Sequence, residues 1–305
     1  MCTALNWHGL FGRNLDLEYD LPGAVTLMPR RFPLPGLPSH YALLGMAWVK
    51  DGFPLYFDAI NDAGLGMVGL HFPRSAHYSP PAADRDNVPS WLLMPWLLGQ
   101  CASVDEVRVR LPRLQITDEA FSSDLPPSPL HWMVADRERS LVLEVCRDGL
   151  HWYDAPAGVL TNEPPFPVQT EWLARYRCLS PAPPKNTLLP ETDLPCSSRG
   201  TGSFGLPGDM TSASRFVRAV FGSRHAAPGR TPQQNVAQFF HILDSVAQLS
   251  GCVILPDGRL EYTRYSSCCD LTHGIYRYKT YWDPQVRTFH LVQTDTQRLQ
   301  ILQTL

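Results

Sequence analysis

Met1-Cys2-Thr3-Ala4-Leu5-Asn6-Trp7-His8-Gly9-Leu10-Phe11-Gly12-Arg13-Asn14-Leu15-Asp16 opens the chain. Cys2 follows directly on Met1, so loss of Met1 leaves one residue carrying both a thiol and a free α-amine. The α-amine has an ordinary pKa of roughly 7.7–8.0 and the thiol about 8.5, so near neutrality a proton passes between them at little cost. Activation of a nucleophile by an N-terminal amine is an established catalytic device. A small residue at the second position permits removal of Met1. Taken alone, a cysteine near a terminus reads as an inert thiol. What singles it out is Arg13 and Asp16 close behind it and the motifs further along.

The rest of the chain sets the bounds. Its 305 residues suffice for one large domain, read here as residues 1–305, or for two small ones. The net charge of −3, with no run of lysines or arginines, argues against nucleic acid or an anionic membrane surface as the main partner. No amino-terminal stretch resembles a signal peptide, and no run of about 18 apolar residues could cross a bilayer. A cytoplasmic location is the resulting expectation. Trp91 to Leu98 is apolar but short and contains Pro95, which suits a core helix or a pocket wall. The eight cysteines show no C-x-x-C spacing and read as reduced, with the adjacent Cys268 and Cys269 in a strand or bend. No metal or cofactor is implied.

Strand-like runs cover Ala24–Met28, Tyr41–Val49, Leu55–Ile60 and Leu65–His71. Asp51-Gly52 joins two of them as a hairpin turn, since glycine accepts the positive φ such turns need, and Asn61 to Gly64 marks the next turn. Asp148-Gly149 and Asp257-Gly258 repeat the device. Ser103-Val104-Asp105-Glu106 is a capping-box pattern opening a helix to about Leu111. Thr231-Pro232 starts a second, carrying Val236, Phe239, Phe240, Leu243 and Val246 at helical spacing and closed by Gly251. A third is expected over Ser212–Phe221. The proline-rich stretches at 32–38, 155–168 and 181–195 read as surface loops. Antiparallel strands followed by amphipathic helices indicate an α+β class.

Further segments complete the pattern: Asn61-Asp62-Ala63-Gly64-Leu65-Gly66 running to Gly69-Leu70-His71-Phe72-Pro73, Leu130-His131-Trp132-Met133, Gly158-Val159-Leu160-Thr161-Asn162-Glu163-Pro164, Gly205-Leu206-Pro207-Gly208-Asp209 with Ala213-Ser214-Arg215-Phe216, Phe239-Phe240-His241-Ile242-Leu243, and Gly274-Ile275-Tyr276. In order and spacing, from Met1 to about Tyr281, the chain resembles the choloylglycine hydrolase family: the bile salt hydrolases and penicillin V acylases of the N-terminal-nucleophile superfamily. The resemblance implies a four-layer αββα sandwich, two antiparallel sheets between helical layers, and a homotetramer. It implies Cys2 as nucleophile with its own α-amine as base. Arg13 would lie beside the thiol, where positive charge favours the thiolate. Asp16 would bind the α-amine, Asn162 would donate its side-chain amide to an oxyanion, and Arg215 would support the network from a helix. On residue type alone, Arg13 fits a solvated turn, Asp16 a cap, Asn162 an Asx turn and Arg215 a surface ion pair.

His71 departs from the family pattern, which generally has asparagine there in bile salt hydrolases and often tyrosine in penicillin V acylases. The family uses this residue's backbone N–H in the oxyanion hole, which survives a side-chain change, so the departure bears on substrate. Leu15, Tyr56 and Leu125 fall near the family's apolar acyl site, and each is equally readable as core. The implied reaction is hydrolysis of a linear amide, with a conjugated bile acid as the small-molecule partner. The alternatives are a penicillin V acylase or an N-acyl-homoserine lactone acylase, and a non-catalytic acyl-ligand-binding protein on the same fold.

Overall fold

A computed structural model describes the chain except residues 21, 197 and 293–295. The strands in chain order are β1 (Cys2–Trp7), β2 (Leu10–Leu17), β3 (Ala24–Met28), β4 (Leu43–Lys50), β5 (Phe53–Asn61), β6 (Gly66–His71), β7 (Asp86–Pro89) and β8 (Leu114–Thr117). They continue with β9 (Leu130–Ala135), β10 (Ser140–Cys146), β11 (Gly149–Asp154), β12 (Val159–Leu160), β13 (Tyr262–Asp270), β14 (Ile275–Thr280), β15 (Arg287–His290) and β16 (Gln300–Thr304). The α-helices are α1 (Leu93–Gln100), α2 (Val104–Arg110), α3 (Phe166–Leu173), α4 (Ser212–His225) and α5 (Pro232–Asp244).

Two antiparallel sheets form the middle of the molecule. One runs β12-β1-β2-β13-β14-β15 and the other β11-β10-β9-β6-β5-β4-β3-β16. Helices α4 and α5 lie on the first sheet, against β1, β2 and β13, and α1 lies on the second, against β4, β5 and β6. The result is the αββα sandwich that the resemblance implied. One apolar cluster joins residues of both sheets, among them Phe11, Leu44, Val68 and Tyr276, with Phe216 and Phe239 of α4 and α5. A second packs α1 and α2 onto the other face of the larger sheet through Leu93, Leu97, Val104 and Val107. Burial of such apolar surface, at about 25 cal/mol per Å2, is what holds the layers together.

Local signals behaved as their chemistry requires. Asp51 and Gly52 both take positive φ, +51° and +76°, and close the β4–β5 hairpin. The Ser103 side chain accepts from Glu106 N–H and Thr231 accepts from Gln234 N–H, each satisfying an unpaired donor of a first helical turn. Pro95 sits in the first turn of α1, where a missing N–H is tolerated. Three expectations need correction. Helix α5 ends at Asp244 with Ser245 as its cap, so Gly251 does not close it. Helix α4 continues beyond Phe221 to His225. The stretch 155–168 is not all loop, because α3 begins at Phe166 behind Pro165. Cys268 and Cys269 both lie in β13 as free thiols. Among the described residues no helix is long and apolar enough to cross a membrane.

Candidate active site

The β1–β2 hairpin carries the first part of the site. Its register pairs Cys2 with Leu15, Thr3 with Asn14 and Ala4 with Arg13. Directly opposed residues share a face and successive residues alternate. Cys2, Arg13 and Leu15 therefore point between the two sheets, whereas Thr3, Asn14 and Asp16 point toward the helices. The hydrogen bonds agree. Arg13 Nη1 donates across to the carbonyls of Gly69 on β6 (2.5 Å) and Phe57 on β5 (3.0 Å). Asn14 Nδ2 donates to the Leu243 carbonyl of α5 at 2.8 Å.

Arg13 Nη2 donates to Cys2 Sγ at 2.6 Å, and both residues are buried. Burial pulls the Arg13 guanidinium down, but the fields of Cys2, Tyr265, Asp58 and Asp16 outweigh it and hold it above its ordinary value. Asn162 stands at the other side of Cys2. Its Oδ1 accepts from Cys2 N–H (2.6 Å) and from Arg215 Nη2 (2.8 Å), and its Nδ2 donates to the His71 carbonyl (2.8 Å). Arg215, on α4, also donates through Nη1 to the Cys2 carbonyl (2.5 Å) and to Thr3 Oγ1 (2.6 Å). Burial pushes Arg215 below its ordinary range, opposed by Asp16 and Cys2.

Asp16 accepts from Thr263 Oγ1 at 2.6 Å through Oδ1, while its Oδ2 is buried with no hydrogen-bond partner. Burial pushes this carboxyl up; Arg215 and the terminal ammonium pull it down. In the full-length chain the Cys2 nitrogen is a peptide N–H. Met1 extends the ladder, its carbonyl accepting from Asp16 N–H (2.9 Å) and its ammonium donating to the Asp16 carbonyl (2.9 Å) and ion-pairing with Glu261.

His71 ends β6 opposite Leu130 of β9. Phe72 N–H donates to the Pro129 carbonyl, so His71 and Leu130 form a non-hydrogen-bonded pair of the ladder. The His71 N–H thus points away from β9, to the side on which the Gly69 carbonyl meets Arg13. Its imidazole reaches the surface, and partial burial with the nearby ammonium lowers its pKa against Glu18, Glu261 and Glu163.

The structure therefore brings Cys2, Arg13, Asp16, His71, Asn162 and Arg215 to one place. It treats the expected acyl-site residues differently. Leu15 packs in the cluster that contains Cys2. Tyr56 does not: it lies in the cluster beneath α1 and α2, its hydroxyl donating to the Thr26 carbonyl at 3.2 Å. Its neighbour Phe57 packs against the Cys2 cluster instead. A bulge in the β4–β5 pairing between Met46 and Ala47 sits at this point. Leu125 is half-buried in a turn where its carbonyl accepts from Phe121 N–H at 3.2 Å.

Residues given no site role in the sequence reading hold the Asn162 loop. Asn162 N–H donates to Ser212 Oγ (2.8 Å), and Gln169 Nε2 donates to the carbonyls of Asn162 (2.5 Å) and Pro164 (2.7 Å). His131 Nε2 meets the Thr161 carbonyl at 2.8 Å while its Nδ1 meets Glu144 at 3.0 Å. Glu144 also accepts from Phe166 N–H, at the start of α3. Behind Arg13, the buried Asp58 accepts hydroxyl hydrogen bonds from Tyr265 and from Tyr276. Asp58, His131, Glu144 and Gln169 are all buried polar groups, for which lack of a partner is costly. Among the described residues no three His, Cys, Asp or Glu side chains converge as metal ligands.

A buried sulfur beside a guanidinium, with an amide side chain hydrogen-bonded to the Cys2 nitrogen and to the His71 carbonyl, can attack a carbonyl and stabilise the resulting oxyanion. Comparison with known proteins points the same way. The family model described as linear amide C–N hydrolases, choloylglycine hydrolase family, matches residues 2–302. The bile salt hydrolase/transferase of Lactiplantibacillus plantarum is 44% identical over 299 residues, covering 95% of this chain and 92% of that protein. The conjugated bile acid hydrolase of Lactobacillus gasseri is 34% identical over 303 residues, covering 95% and 96% respectively. The crystal structure of a mutant conjugated bile acid hydrolase from Clostridium perfringens matches with a TM-score of 0.89 at 32% identity, over 100% of this chain and 96% of that one. Penicillin V acylase from Agrobacterium tumefaciens shares the fold, with a TM-score of 0.75 at 19% identity over 98% of this chain and 90% of that one.

Proposed function

The chain belongs to the choloylglycine hydrolase family of linear amide C–N hydrolases, and from that premise we propose that it hydrolyses the amide bond of bile acids conjugated to glycine or taurine, with Cys2 as nucleophile. The observation that carries the mechanism is the buried Arg13 guanidinium donating to the buried Cys2 Sγ at 2.6 Å. Cleavage of the Met1–Cys2 bond frees the α-amine. That amine takes the thiol proton, Arg13 stabilises the thiolate, and the sulfur attacks the substrate carbonyl. The oxyanion accepts hydrogen bonds from Asn162 Nδ2 and the His71 backbone N–H. Asp16, whose Oδ2 is buried without a partner, receives the new α-ammonium. The α-ammonium then passes its proton to the leaving amine as the C–N bond breaks, leaving an acyl thioester. Water, deprotonated by the α-amine, hydrolyses the thioester and restores Cys2. Arg215 acts through Asn162 and the Cys2 carbonyl as a positioning residue.

Leu15 and Phe57, on the Cys2 side of the sandwich, supply part of the acyl wall in this reading. Tyr56 supports that wall from behind, and Leu125 lines its outer part. The same reading carries one functional domain over 1–305, a homotetramer and a cytoplasmic location; light scattering of the purified protein and cell fractionation test the last two. The decisive experiment compares turnover of glycocholate, taurocholate, penicillin V and an N-acyl-homoserine lactone on one preparation. Faster cleavage of either bile salt is expected. Preference for penicillin V or the lactone would replace the substrate assignment, and no turnover of any amide would leave a binding protein.

A further inference from the structure

The two donors assigned to the oxyanion, Asn162 Nδ2 and the His71 N–H, come from segments 91 positions apart. One buried side chain touches the chain neighbour of each. His131 of β9 is fully buried, and its ring lies flat on that of Phe72, with centroids 4.2 Å apart and planes at 6°. Phe72 directly follows His71; it too is fully buried, and its N–H donates to the Pro129 carbonyl at 2.8 Å. On its other side, His131 Nε2 lies 2.8 Å from the carbonyl of Thr161, which directly precedes Asn162.

Both nitrogens of the His131 ring are committed. A carbonyl only accepts, so Nε2 carries a hydrogen. Glu144 Oε1 stands 3.0 Å from Nδ1, where a carboxylate against a bare ring nitrogen would set two acceptors face to face. One further proton therefore lies between His131 and Glu144. Glu144 is fixed in turn by the Phe166 N–H, 2.9 and 3.1 Å from its two oxygens. Stacking sets the plane of the ring and the two nitrogens set its rotation, and breaking either contact leaves a buried polar group unpaired. Asn162 Nδ2 gives one of its two hydrogens to the His71 carbonyl, at 2.8 Å, so the direction of the other depends on how the two segments stand to each other.

We propose that His131 is a positioning residue for the oxyanion hole: through Phe72 and Thr161 it holds the His71 N–H and the Asn162 amide in fixed relation. The inference rests on the amide-hydrolase reading and deepens it for the same site. The test is a double-mutant cycle on the purified, Met1-free protein, using whichever of the four substrates compared above the parent turns over fastest. His131→Phe keeps a flat ring against Phe72 and loses the hold on Thr161. It should lower kcat by about 10- to 100-fold with little change in KM, as for a misplacement of about 1 Å. In the Asn162→Ala background the same change should cost less than about threefold, because the group it positions is gone. Phe72→Leu removes the stacked ring and acts on His71 instead, so it should lower kcat in both backgrounds. Alkylation of Cys2 by iodoacetamide should keep its rate in both single variants. An unchanged kcat in His131→Phe overturns the proposal. So does an equal cost with and without the Asn162 amide, or a loss of alkylation alongside kcat, either of which would make His131 a general support of the core. Should His131→Phe fail to fold, Phe72→Leu decides, and an unchanged kcat there overturns the proposal. Parent turnover without the coupling sinks the positioning role alone, whereas no turnover of any of the four substrates sinks the amide-hydrolase reading and this role with it.

Discussion

Arg13 Nη2 lies 2.6 Å from the sulfur of Cys2, and among the described residues no carboxylate forms an ion pair with this buried guanidinium. Its remaining hydrogen bonds go to the backbone carbonyls of Asn14, Phe57 and Gly69, which carry no net charge. Asp58 and Asp16 act on that charge from further off, and the sulfur is the side-chain group it touches. Arg13→Met should slow iodoacetamide alkylation of Cys2 at pH 7 by about tenfold or more, read by peptide mass spectrometry. Arg13→Lys should not restore it, because one compact ammonium cannot serve the sulfur and two carbonyls from a planar fork. Unchanged alkylation in Arg13→Met would remove Arg13 from the activation of the thiol.

Asn162 is clamped by Cys2, Arg215, Ser212 and Gln169 with its Nδ2 toward His71. Loss of one oxyanion donor costs about 10²–10³ in kcat. Asn162→Ala should show that loss with a smaller change in KM. A fall of less than tenfold would place the oxyanion elsewhere.

The Cys2 nitrogen is a peptide N–H donating to Asn162 Oδ1 at 2.6 Å as long as Met1 is attached. A chain that keeps Met1 should show no turnover, while loss of Met1 should accompany activity and an acyl adduct with a slow amide substrate. Intact mass on active and inactive preparations reads both. An active Met1-bearing chain would contradict the amine's role as base.

Gly12 sits on β2 where a Cβ would lie 2.1 Å from the Ser267 carbonyl of β13. Backbone cannot yield as a flexible side chain can, so Gly12→Ala must push the two strands apart next to Arg13. Overpacking typically costs about 1–3 kcal/mol. The variant should lose at least that much in urea unfolding and should lose activity along with it. Wild-type stability would mean the strands separate freely.

Asp209 precedes α4 and accepts hydrogen bonds from Ser214 and Thr211, which lower its carboxyl pKa to about 2. The folded value is below the unfolded one of about 3.9. The contribution to stability is therefore complete above the unfolded pKa and is lost as pH falls through about 2. The stability gap between the parent and Asp209→Asn should be present at pH 6 and shrink toward pH 2, measured as urea midpoints. A gap that does not vary with pH would rule out the carboxylate as its source.

Hairpin turns and helix starts were legible because their chemistry is local. Asp51-Gly52 closes a turn, and Ser103 and Thr231 cap helices, through interactions spanning two to four residues. The β1 and β2 strands were harder to see. Thr3, Arg13, Asn14 and Asp16 are polar yet fully buried, so the hairpin shows no clean apolar–polar alternation. Their partners are far away in sequence, on β5, β6, α4, α5 and β13. The acyl-side reading failed at Tyr56 for a related reason. A one-residue irregularity in the β4–β5 pairing exchanges the faces that Tyr56 and Phe57 present, and nothing in the local sequence announces it. His131 and Glu144 belonged to recognisable strands, but their joint support of the Asn162 loop depends on the β9–β10 pairing.

Composition and local pattern were enough to specify the thiol and future amine on one residue, the antiparallel character of the strands and the places where helices begin. Resemblance to a family supplied the roles of Arg13, Asp16, Asn162 and Arg215. Packing alone decided that Asn162 and Arg215 meet Cys2 across 160 and 213 positions, that Glu261 faces the chain's first residue, and which aromatic side chain of β5 looks toward the sulfur. Those outcomes depend on ladder register and on how two sheets stack. Such free energies arise between distant segments and leave no mark on any short window of sequence.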